Sequence, residues 1–394
     1  MAFSRQQMRR FWLAVHLYLG LSVGVVFSLT GLTGSLLVFY VEIDRLINPE
    51  LVISASKSLA QSYENVIQKL HQTYPERTNA WRLEVPTQPD KPIMARYYKP
   101  VETQHQHFSP LVVAINPYTL AIINHRFWGE YAVTWIYDLH YTLLLDETGN
   151  TIMAIIGIFC LLSLLSGVYL WWPKNATYNI KNTATKNTAK TNKWRKALAI
   201  RLRTGYLRKL YDIHTLLGIY SLILLILLVV TGLILEKPEW FAPSINKISS
   251  TFIKPNVQSF RADPNQKITL DSALEIAQKQ FPQAQVRWLE TPESAFGTYI
   301  IRLKNLNEIA DRFPKTYVWI DQYSGKILAT RNPQHNSNGD VFMDWQHPLH
   351  SGEAFGLAGR IIVCFSGIIP TILLVTGYLR WRKKSRKKVV KFGR

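Results

Sequence analysis

The sequence predicts a membrane α-helical protein: a four-helix transmembrane bundle from a tandem duplication, with two small α+β domains outside the membrane. Three observations predict this class. The chain has four long apolar segments, its basic residues are concentrated beside those segments, and its two halves repeat each other. An apolar run of about 20 residues is long enough to cross the hydrocarbon core as a helix, and a repeat of this length indicates one architecture used twice.

The repeat consists of two pairs of matching segments. Residues 138–171 match residues 348–381 without a gap, and a shorter match joins residues 11–40 to residues 211–235. In each long copy, a Leu-His pair precedes an apolar helix that contains glycines. The matched positions are His140 with His350, Gly149 with Gly359, Gly157 with Gly367, Ser166-Gly167 with Thr376-Gly377, His16 with His214, and Gly20 with Gly218.

The formal charge of +20 is confined to three segments. Residues 1–10, 173–210 and 380–394 hold 23 of the 46 Lys and Arg residues and no Asp or Glu, so the remainder has 23 basic and 26 acidic residues. Basic residues beside apolar runs are the positive-inside pattern of membrane proteins. A nucleic-acid-binding protein would instead carry a basic patch on a folded face. We therefore expect a lipid membrane around this chain and no nucleic-acid partner.

The predicted spans follow in chain order. The first lies in residues 1–40, in which positions 11–40 contain no Asp, Glu, Lys or Arg. The second, third and fourth spans are predicted at 151–172, 211–235 and 360–381, each of them apolar throughout most of its length. The two cysteines lie inside such runs, where small buried apolar residues are expected.

Four spans place both termini on the same side of the membrane. The basic loop 173–210 and the basic tail 382–394 then lie in the cytoplasm with the N-terminus, as the charge rule requires. Loops 41–150 and 236–359 lie outside. Each outer loop shows a helical pattern followed by strand-like runs, which is the order of a small α+β domain. In the second loop, Asp321 to Gly325 between apolar runs indicates a hairpin turn.

These residues resemble the PepSY-associated transmembrane, or iron-regulated membrane protein, family, which includes inner-membrane ferric-siderophore reductases. The resemblance covers nearly the whole chain. It depends on the His16-x3-Gly20 motif, the Tyr317 to Leu328 run, and the Leu-His lead-ins at His140 and His350. It implies a bacterial inner-membrane protein with two PepSY-like periplasmic domains and two haem b groups. The first outer domain departs from the family's turn, because it has Asn116 and Leu120 where Asp and Gly are usual.

Histidines His16 and His214 are the first candidate pair of haem ligands. Each lies near the cytoplasmic edge of its span, where an imidazole normally faces the bundle interior. The pair could form an interhelical hydrogen bond worth about 0.6 kcal/mol, or it could ligate haem iron through one nitrogen of each ring. Gly20 and Gly24 follow His16 at i+4 and i+8. They would admit a flat macrocycle, although they also suit helix packing.

Histidines His140 and His350 are the second candidate pair, at the periplasmic level. His140 lies ten residues before its charge-free run, which predicts a short interfacial segment that turns at Gly149, with a similar bend at Gly352 and Gly359. His347 is the second choice of ligand at this level. It has no counterpart in the first copy, in which Tyr137 occupies the matching position.

The leading hypothesis is a haem-dependent ferric-siderophore reductase with a ferric siderophore or other ferric chelate as substrate. No nucleotide-binding fingerprint follows a predicted strand, so we expect quinol or a separate reductase as the electron donor. The alternative is a non-enzymatic, membrane-anchored PepSY module that binds or regulates a periplasmic partner. A transporter is less favoured because the repeats are parallel and the spans lack charged residues that could couple an ion.

Overall fold

The computed structural model describes residues 4–54, 59–173, 198, 205–260 and 266–392, with side chains up to residue 385. Most of the predicted basic loop 173–210 lies outside the described residues. The chain divides into two compact units. The helical unit comprises Met1–Val38, Asn150–Lys237 and Ile361–Arg394, and the sheet unit comprises Phe39–Gly149 and Pro238–Arg360.

Regular elements occur throughout the described residues. The α-helices are α1 Arg5–Leu21, α2 Val23–Leu37, α3 Tyr40–Ile47, α4 Tyr63–Thr73, α5 Ala132–Thr142, α6 Asp146–Trp171, α7 Tyr206–Tyr220, α8 Leu222–Glu236, α9 Pro238–Asn246, α10 Leu270–Gln280, α11 Asn338–Ser351, α12 Gly356–Ser366 and α13 Ile369–Phe392. The strands are β1 Trp81–Glu84, β2 Ile93–Tyr97, β3 Leu111–Ile115, β4 Ile122–Phe127, β5 Gln285–Glu290, β6 Thr298–Lys304, β7 Thr316–Asp321 and β8 Ile327–Arg331.

Among the described residues, two helical stretches are long and apolar enough to cross a membrane, Asp146–Trp171 and Glu353–Ser385. The number rises to four if each of two bent helix pairs counts as one span. The pair α1 and α2 bends by 48°, and the pair α7 and α8 bends by 59°. At the breaks, the hydroxyls of Ser22 and Ser221 donate to the carbonyls of Tyr18 and Leu217 at 2.7 and 2.6 Å. Such back-bonding by serine favours helix bending.

Small residues bring α2 close to α12 and α13 in the helical unit. A Cβ on Gly31 would lie 2.4 Å from the carbonyl oxygen of Gly367, so only glycine permits this approach. Ser35 Oγ donates to the carbonyl of Cys364 at 2.6 Å, and the hydroxyls of Ser28 and Thr371 are 2.7 Å apart. Small residues and interhelical hydroxyl bonds are typical of helix packing in membranes.

The sheet unit contains one eight-stranded antiparallel sheet with the order β4-β3-β2-β1-β5-β6-β7-β8. The sequence predicts two separate outer domains, but their strands form a single sheet because β1 pairs with β5, with Leu83 opposite Leu289. Both leucines are fully buried. Pairing at this junction satisfies the backbone groups that two separate sheets would leave at their edges.

Helices α4 and α10 contact each other at their N-termini. Asp271 of α10 accepts hydrogen bonds from the backbone N–H groups of Tyr63 and Glu64 at 3.0 and 2.9 Å. Glu64 of α4 in turn accepts from the backbone N–H of Leu270 at 2.9 Å. Each carboxylate therefore caps the other helix, satisfying N–H groups that have no partner within their own helix. The apolar faces of both helices join the same buried core as the strands.

The hairpin turns β3–β4 and β7–β8 have the same geometry. Asn116 accepts hydrogen bonds from the two backbone N–H groups at Tyr118 and Thr119, and Asp321 accepts from the equivalent groups two and three residues after it. Gly325 has a φ of 72°, and Leu120 has a φ of 58° at the matching position. The first turn therefore keeps its shape although leucine disfavours the left-handed region by about 1–2 kcal/mol.

Helix α5 leads into the long helix α6 through a sharp turn. The predicted turn at Gly149 is wrong, because the chain reverses earlier: Leu143 and Leu144 have φ values of 53° and 61°, and α6 begins at Asp146. Gly149 lies within α6, and a Cβ there would be 1.8 Å from the carbonyl oxygen of Thr142. The glycine is required for close contact between the helices, not for the turn.

The second lead-in bends at only one of its two predicted positions, Gly352, because Gly359 lies within α12. Helix α11 ends at Ser351, and Gly352 follows with a φ of 81°. A Cβ on Gly359 would lie 2.2 Å from the carbonyl oxygen of Gly352. Gly149 and Gly359 therefore serve the same purpose, which is to let the apolar helix approach the end of the helix that precedes it.

Candidate functional site

The helical unit brings His16 of α1 opposite His214 of α7. The ring centroids are 6.1 Å apart, and the ring planes are nearly perpendicular at 87°. Their matching positions in the repeat predict that these two histidines form a pair. In the fold, their side chains lie next to each other.

Both imidazoles are oriented by the same kind of hydrogen bonding. His16 Nδ1 is 3.1 Å from the carbonyl oxygen of Ser163 and 3.0 Å from Ser166 Oγ. His214 Nδ1 is 3.0 Å from the carbonyl oxygen of Leu373 and 3.1 Å from Thr376 Oγ1. A carbonyl oxygen only accepts, so Nδ1 carries the proton in each neutral ring and Nε2 keeps its lone pair. This is the tautomer that a metal ligand needs.

The hydroxyl groups in this arrangement also have defined roles. Ser166 Oγ donates to the carbonyl of Ser163 at 2.8 Å, and Thr376 Oγ1 donates to the carbonyl of Ile372 at 2.7 Å. Because each hydroxyl proton is used in that bond, the oxygen is left to accept from the histidine. In the sequence these positions are visible only as a repeated dipeptide, and it is the fold that places them in the site.

Glycines make room for both rings. A Cβ on Gly167 would lie 3.2 Å from His16 Cε1, and a Cβ on Gly377 would lie 3.4 Å from His214 Cε1. Each imidazole therefore lies against the backbone of the neighbouring helix. A Cβ on Gly20 would meet no atom within 4 Å, whereas one on Gly24 would meet the side chain of Leu374 at 3.6 Å. Gly20 therefore has open space beside it, and Gly24 serves helix packing.

The sheet unit brings His140 of α5 opposite His350 of α11. Their ring centroids are 6.2 Å apart, with an angle of 59° between the planes. Each histidine lies in the last turn of its helix, just before the left-handed residue that ends it, Leu143 or Gly352. The matching chain reversals therefore place the two rings next to each other.

A polar and aromatic group surrounds the His140 end of this pair. Asp138 accepts a hydrogen bond from Trp128 Nε1 at 2.9 Å, and the Trp128 ring contacts that of Tyr137 edge to face. Burial raises the pKa of Asp138 to about 6. The indole bond holds α5 against the end of the sheet and so fixes the helix that carries His140.

His347 occupies a different environment from His350. Its ring packs edge-on against Phe313, with centroids 4.8 Å apart, and its Nδ1 lies 4.0 Å from Glu353 Oε2. Burial, followed by the charges of His350, Arg312 and Lys315, lowers the pKa of His347 to about 3. The ring that faces His140 is that of His350, so the geometry favours the first-choice ligand.

Both histidine pairs have the spacing of two imidazoles that share one metal ion. An imidazole nitrogen lies about 2.0–2.1 Å from a bound first-row metal, and the ring centroid lies about 1.1 Å further away, so two opposed rings are about 6.3 Å apart. The observed separations are 6.1 and 6.2 Å. Among the described residues, no three His, Cys, Asp or Glu side chains group closely enough to hold a metal ion. Two histidines at each place would suit a metal that carries further ligands of its own, as haem does.

Comparison with known proteins identifies one family. The family model described as "PepSY-associated TM region" matches residues 13–384, which is nearly the whole chain. No curated protein matches the chain.

Proposed function

Because the chain belongs to the PepSY-associated transmembrane family, we propose that it is an inner-membrane b-type dihaem oxidoreductase. It would pass electrons from the cytoplasmic or quinol side to a periplasmic ferric complex, such as a ferric siderophore, and so release the iron. The observation that carries this proposal is the pair of opposed histidine rings in each unit, separated by 6.1 and 6.2 Å.

The proposed topology has four spans that arose by tandem duplication. The bent pairs α1–α2 and α7–α8 would each cross the membrane once, in addition to the two long helical stretches. Both termini would then be cytoplasmic and the sheet unit periplasmic. The basic residues beside the spans support this orientation.

Four histidines would hold the two haem groups. His16 and His214 would bind the inner haem, and His140 and His350 the outer haem. A haem held by two histidines would supply one-electron transfer at a potential set by its ligands and their hydrogen bonds. At the inner site, each Nδ1–H donates to a carbonyl oxygen and a hydroxyl oxygen of the neighbouring helix. These bonds fix the orientation of each ring, and with it the direction of the Nε2 lone pair, before any cofactor binds.

The outer site would be positioned by the lead-in helices. Close contact at Gly149 and Gly359 fixes the ends of α5 and α11 against the helices that follow them. This contact limits the movement of His140 and His350, since each lies two residues before the residue whose carbonyl makes the contact, Thr142 or Gly352. Preorganised ligands of this kind lower the reorganisation that accompanies electron transfer or ligand exchange.

An optical spectrum of the purified full chain tests the proposal. We expect a Soret band, sharp α and β bands on reduction, and two haems per chain in a pyridine haemochrome assay. Substitution of His16 or His214 by Ala removes one haem, and substitution of His140 or His350 removes the other. His347→Ala is the matched control and retains both haems.

Two results would contradict this assignment. A chain that remains colourless after haem-supplemented expression would refute the oxidoreductase and favour a membrane-anchored module that binds a periplasmic partner. Retention of both haems by His350→Ala with loss of one by His347→Ala would transfer the outer ligand to His347.

A further inference from the structure

One face of the sheet, opposite the face covered by α4 and α10, carries a concentration of arginines and aromatic rings. Its cross-strand rows follow from the register: Arg82 lies beside Arg96 and Glu290, and Arg302 lies between Trp288 and Tyr317. We call this group, together with Tyr98, the arginine face; its members are Arg82, Arg96, Tyr98, Trp288, Glu290, Arg302 and Tyr317. All of them lie in the sheet unit.

Most arginines on this side of the sheet have a carboxylate partner. Arg82 binds Glu290 at 2.6 Å, and Arg96 lies 3.3 Å from Glu84. At the outer strands, Arg126 pairs with Asp44 and Arg331 pairs with Asp344 at 2.6 and 2.8 Å. These pairs neutralise the charges that they contain.

Arg302 is different. In the part of the chain that the structure describes, no carboxylate forms an ion pair with it, and its Nε, like those of Arg96 and Arg331, has no hydrogen-bond partner. The guanidinium lies over the ring of Tyr317, with its central carbon 4.7 Å from the ring centroid. Burial and then the nearby Arg82 cation lower the pKa of Arg302, and the charges of Tyr317 and Glu290 offset this shift only in part. The carboxylate of Glu290 forms its ion pair with Arg82.

The other members of the face are partly accessible, except for Trp288, which is buried. Arg82 lies 4.6 Å from the ring of Tyr98 and 5.8 Å from that of Trp288, and Arg96 lies 4.9 Å from Trp288. The side chains of Arg82 and Glu290 are each 19% exposed. Guanidinium groups bind oxyanions in the plane of their N–H groups and stack on aromatic surfaces. A ligand that combines an oxyanion with an aromatic ring matches both properties.

We propose that the arginine face is the binding site for the ferric substrate, and that this substrate is a negatively charged catecholate chelate whose oxygens bind Arg302. The inference rests on the proposed function only in calling this ligand the substrate, since binding to this face requires no haem. A catecholate supplies the anionic oxygens that Arg302 lacks and an aromatic ring that packs beside Tyr317. A neutral trihydroxamate chelate supplies neither.

Calorimetric titration of the purified full chain with gallium complexes tests this site, because gallium(III) mimics the ferric complex but is not reduced. We expect gallium tris(catecholate) to bind at least about 10-fold more tightly than a neutral gallium trihydroxamate, since hydrogen bonds to charged groups have this magnitude. Arg302→Gln should weaken catecholate binding by about 10-fold or more, and Arg302→Lys by less. Arg287→Gln is the matched control, because Arg287 lies on β5 and pairs instead with Asp311. It should bind like the parent chain.

The outcomes are separable. The site would be overturned if the parent chain and Arg302→Gln bound gallium tris(catecholate) equally well while circular dichroism showed that both proteins were folded. Equal binding of the catecholate and trihydroxamate would overturn the substrate class, and equal binding of gallium citrate would remove the aromatic part of the claim. A colourless protein that binds the catecholate through Arg302 would refute the dihaem proposal and leave this site standing. A dihaem protein that fails to bind the catecholate would refute this site and leave the dihaem proposal intact.

Discussion

Gly149→Ala is the sharpest test of how the fold positions the outer histidine. The added Cβ would lie 1.8 Å from the carbonyl oxygen of Thr142. A normal carbon–oxygen contact is about 3.3 Å or longer, so the two helices must separate locally by about 1.5 Å. His140 is two residues before Thr142 on the same helix, and it moves with it. Ligand geometry tolerates displacements of only about 0.5 Å.

We therefore expect Gly149→Ala to lose the outer haem and keep the inner one, giving about one haem per chain in place of two. The clash should also destabilise the protein by about 1–3 kcal/mol, as overpacking commonly does. The assay combines the pyridine haemochrome count with thermal unfolding in detergent. The unfolding measurement tests the close contact even if no haem is bound.

Two further glycine variants make the result specific. Gly359→Ala creates the equivalent clash, 2.2 Å from the carbonyl of Gly352, and should lose the same haem through His350. Gly24→Ala is the control, because its Cβ would make an ordinary contact of 3.6 Å and should leave haem content unchanged. A Gly149→Ala protein with two haems and unaltered unfolding would refute the reasoning.

Three other predictions concern hydrogen bonds. Ser166→Ala combined with Thr376→Val removes one of the two acceptors at each inner Nδ1–H and should weaken inner haem binding by about 10-fold, measured by haem transfer to an apo-acceptor. Asp271→Ala removes the cap shared by two N–H groups of α4 and should lower the free energy of unfolding by about 1–2 kcal/mol in denaturant. Asp321→Asn should lose less stability than the parent chain as the pH falls below about 4, because Asp321 is a carboxylate with a lowered pKa. Thermal unfolding across that pH range measures the difference.

The sign of the Asp321 effect follows from its environment. Although burial opposes ionisation, hydrogen bonds from backbone N–H groups, including those of Phe260, Tyr323 and Ser324, hold the pKa of Asp321 below its usual value. Its stabilisation is thus complete above the unfolded-state pKa of about 3.9 and is lost as the pH falls through the lower folded-state value.

Glu275→Ala on α10 serves as the control for Asp271→Ala. Thr30→Val serves as the control for the inner pair, because the Thr30 hydroxyl donates to carbonyls of its own helix α2.

The candidate site was partly predictable because its residues repeat. His16 matches His214, and His140 matches His350, at fixed offsets along the sequence. Equivalent positions in two similar halves tend to meet when the halves pack about a common axis, and here both pairs of rings are about 6 Å apart. The repeat also contained Ser166-Gly167 and Thr376-Gly377, although only the structure showed that these residues hold the inner rings.

Other features were not accessible to sequence reasoning. The turn before α6 is formed by Leu143 and Leu144 in the left-handed region, which no pattern rule assigns to leucine. The pairing of β1 with β5 joins segments about 200 residues apart, and strand propensity does not specify a partner at that distance. Among the described residues, the missing ion-pair partner of Arg302 is likewise visible only once its neighbours have been assigned to other partners.

The sequence by itself determined the family, the membrane character and which histidines belong together, because hydropathy, charge placement and repeat spacing are properties of the chain in one dimension. Tertiary structure alone decided that the two outer domains share one sheet, that His350 rather than His347 faces His140, and that Gly149 is a contact rather than a turn. These outcomes depend on which backbones approach within a few ångströms of each other. That is settled by packing between distant segments, which local residue patterns do not encode.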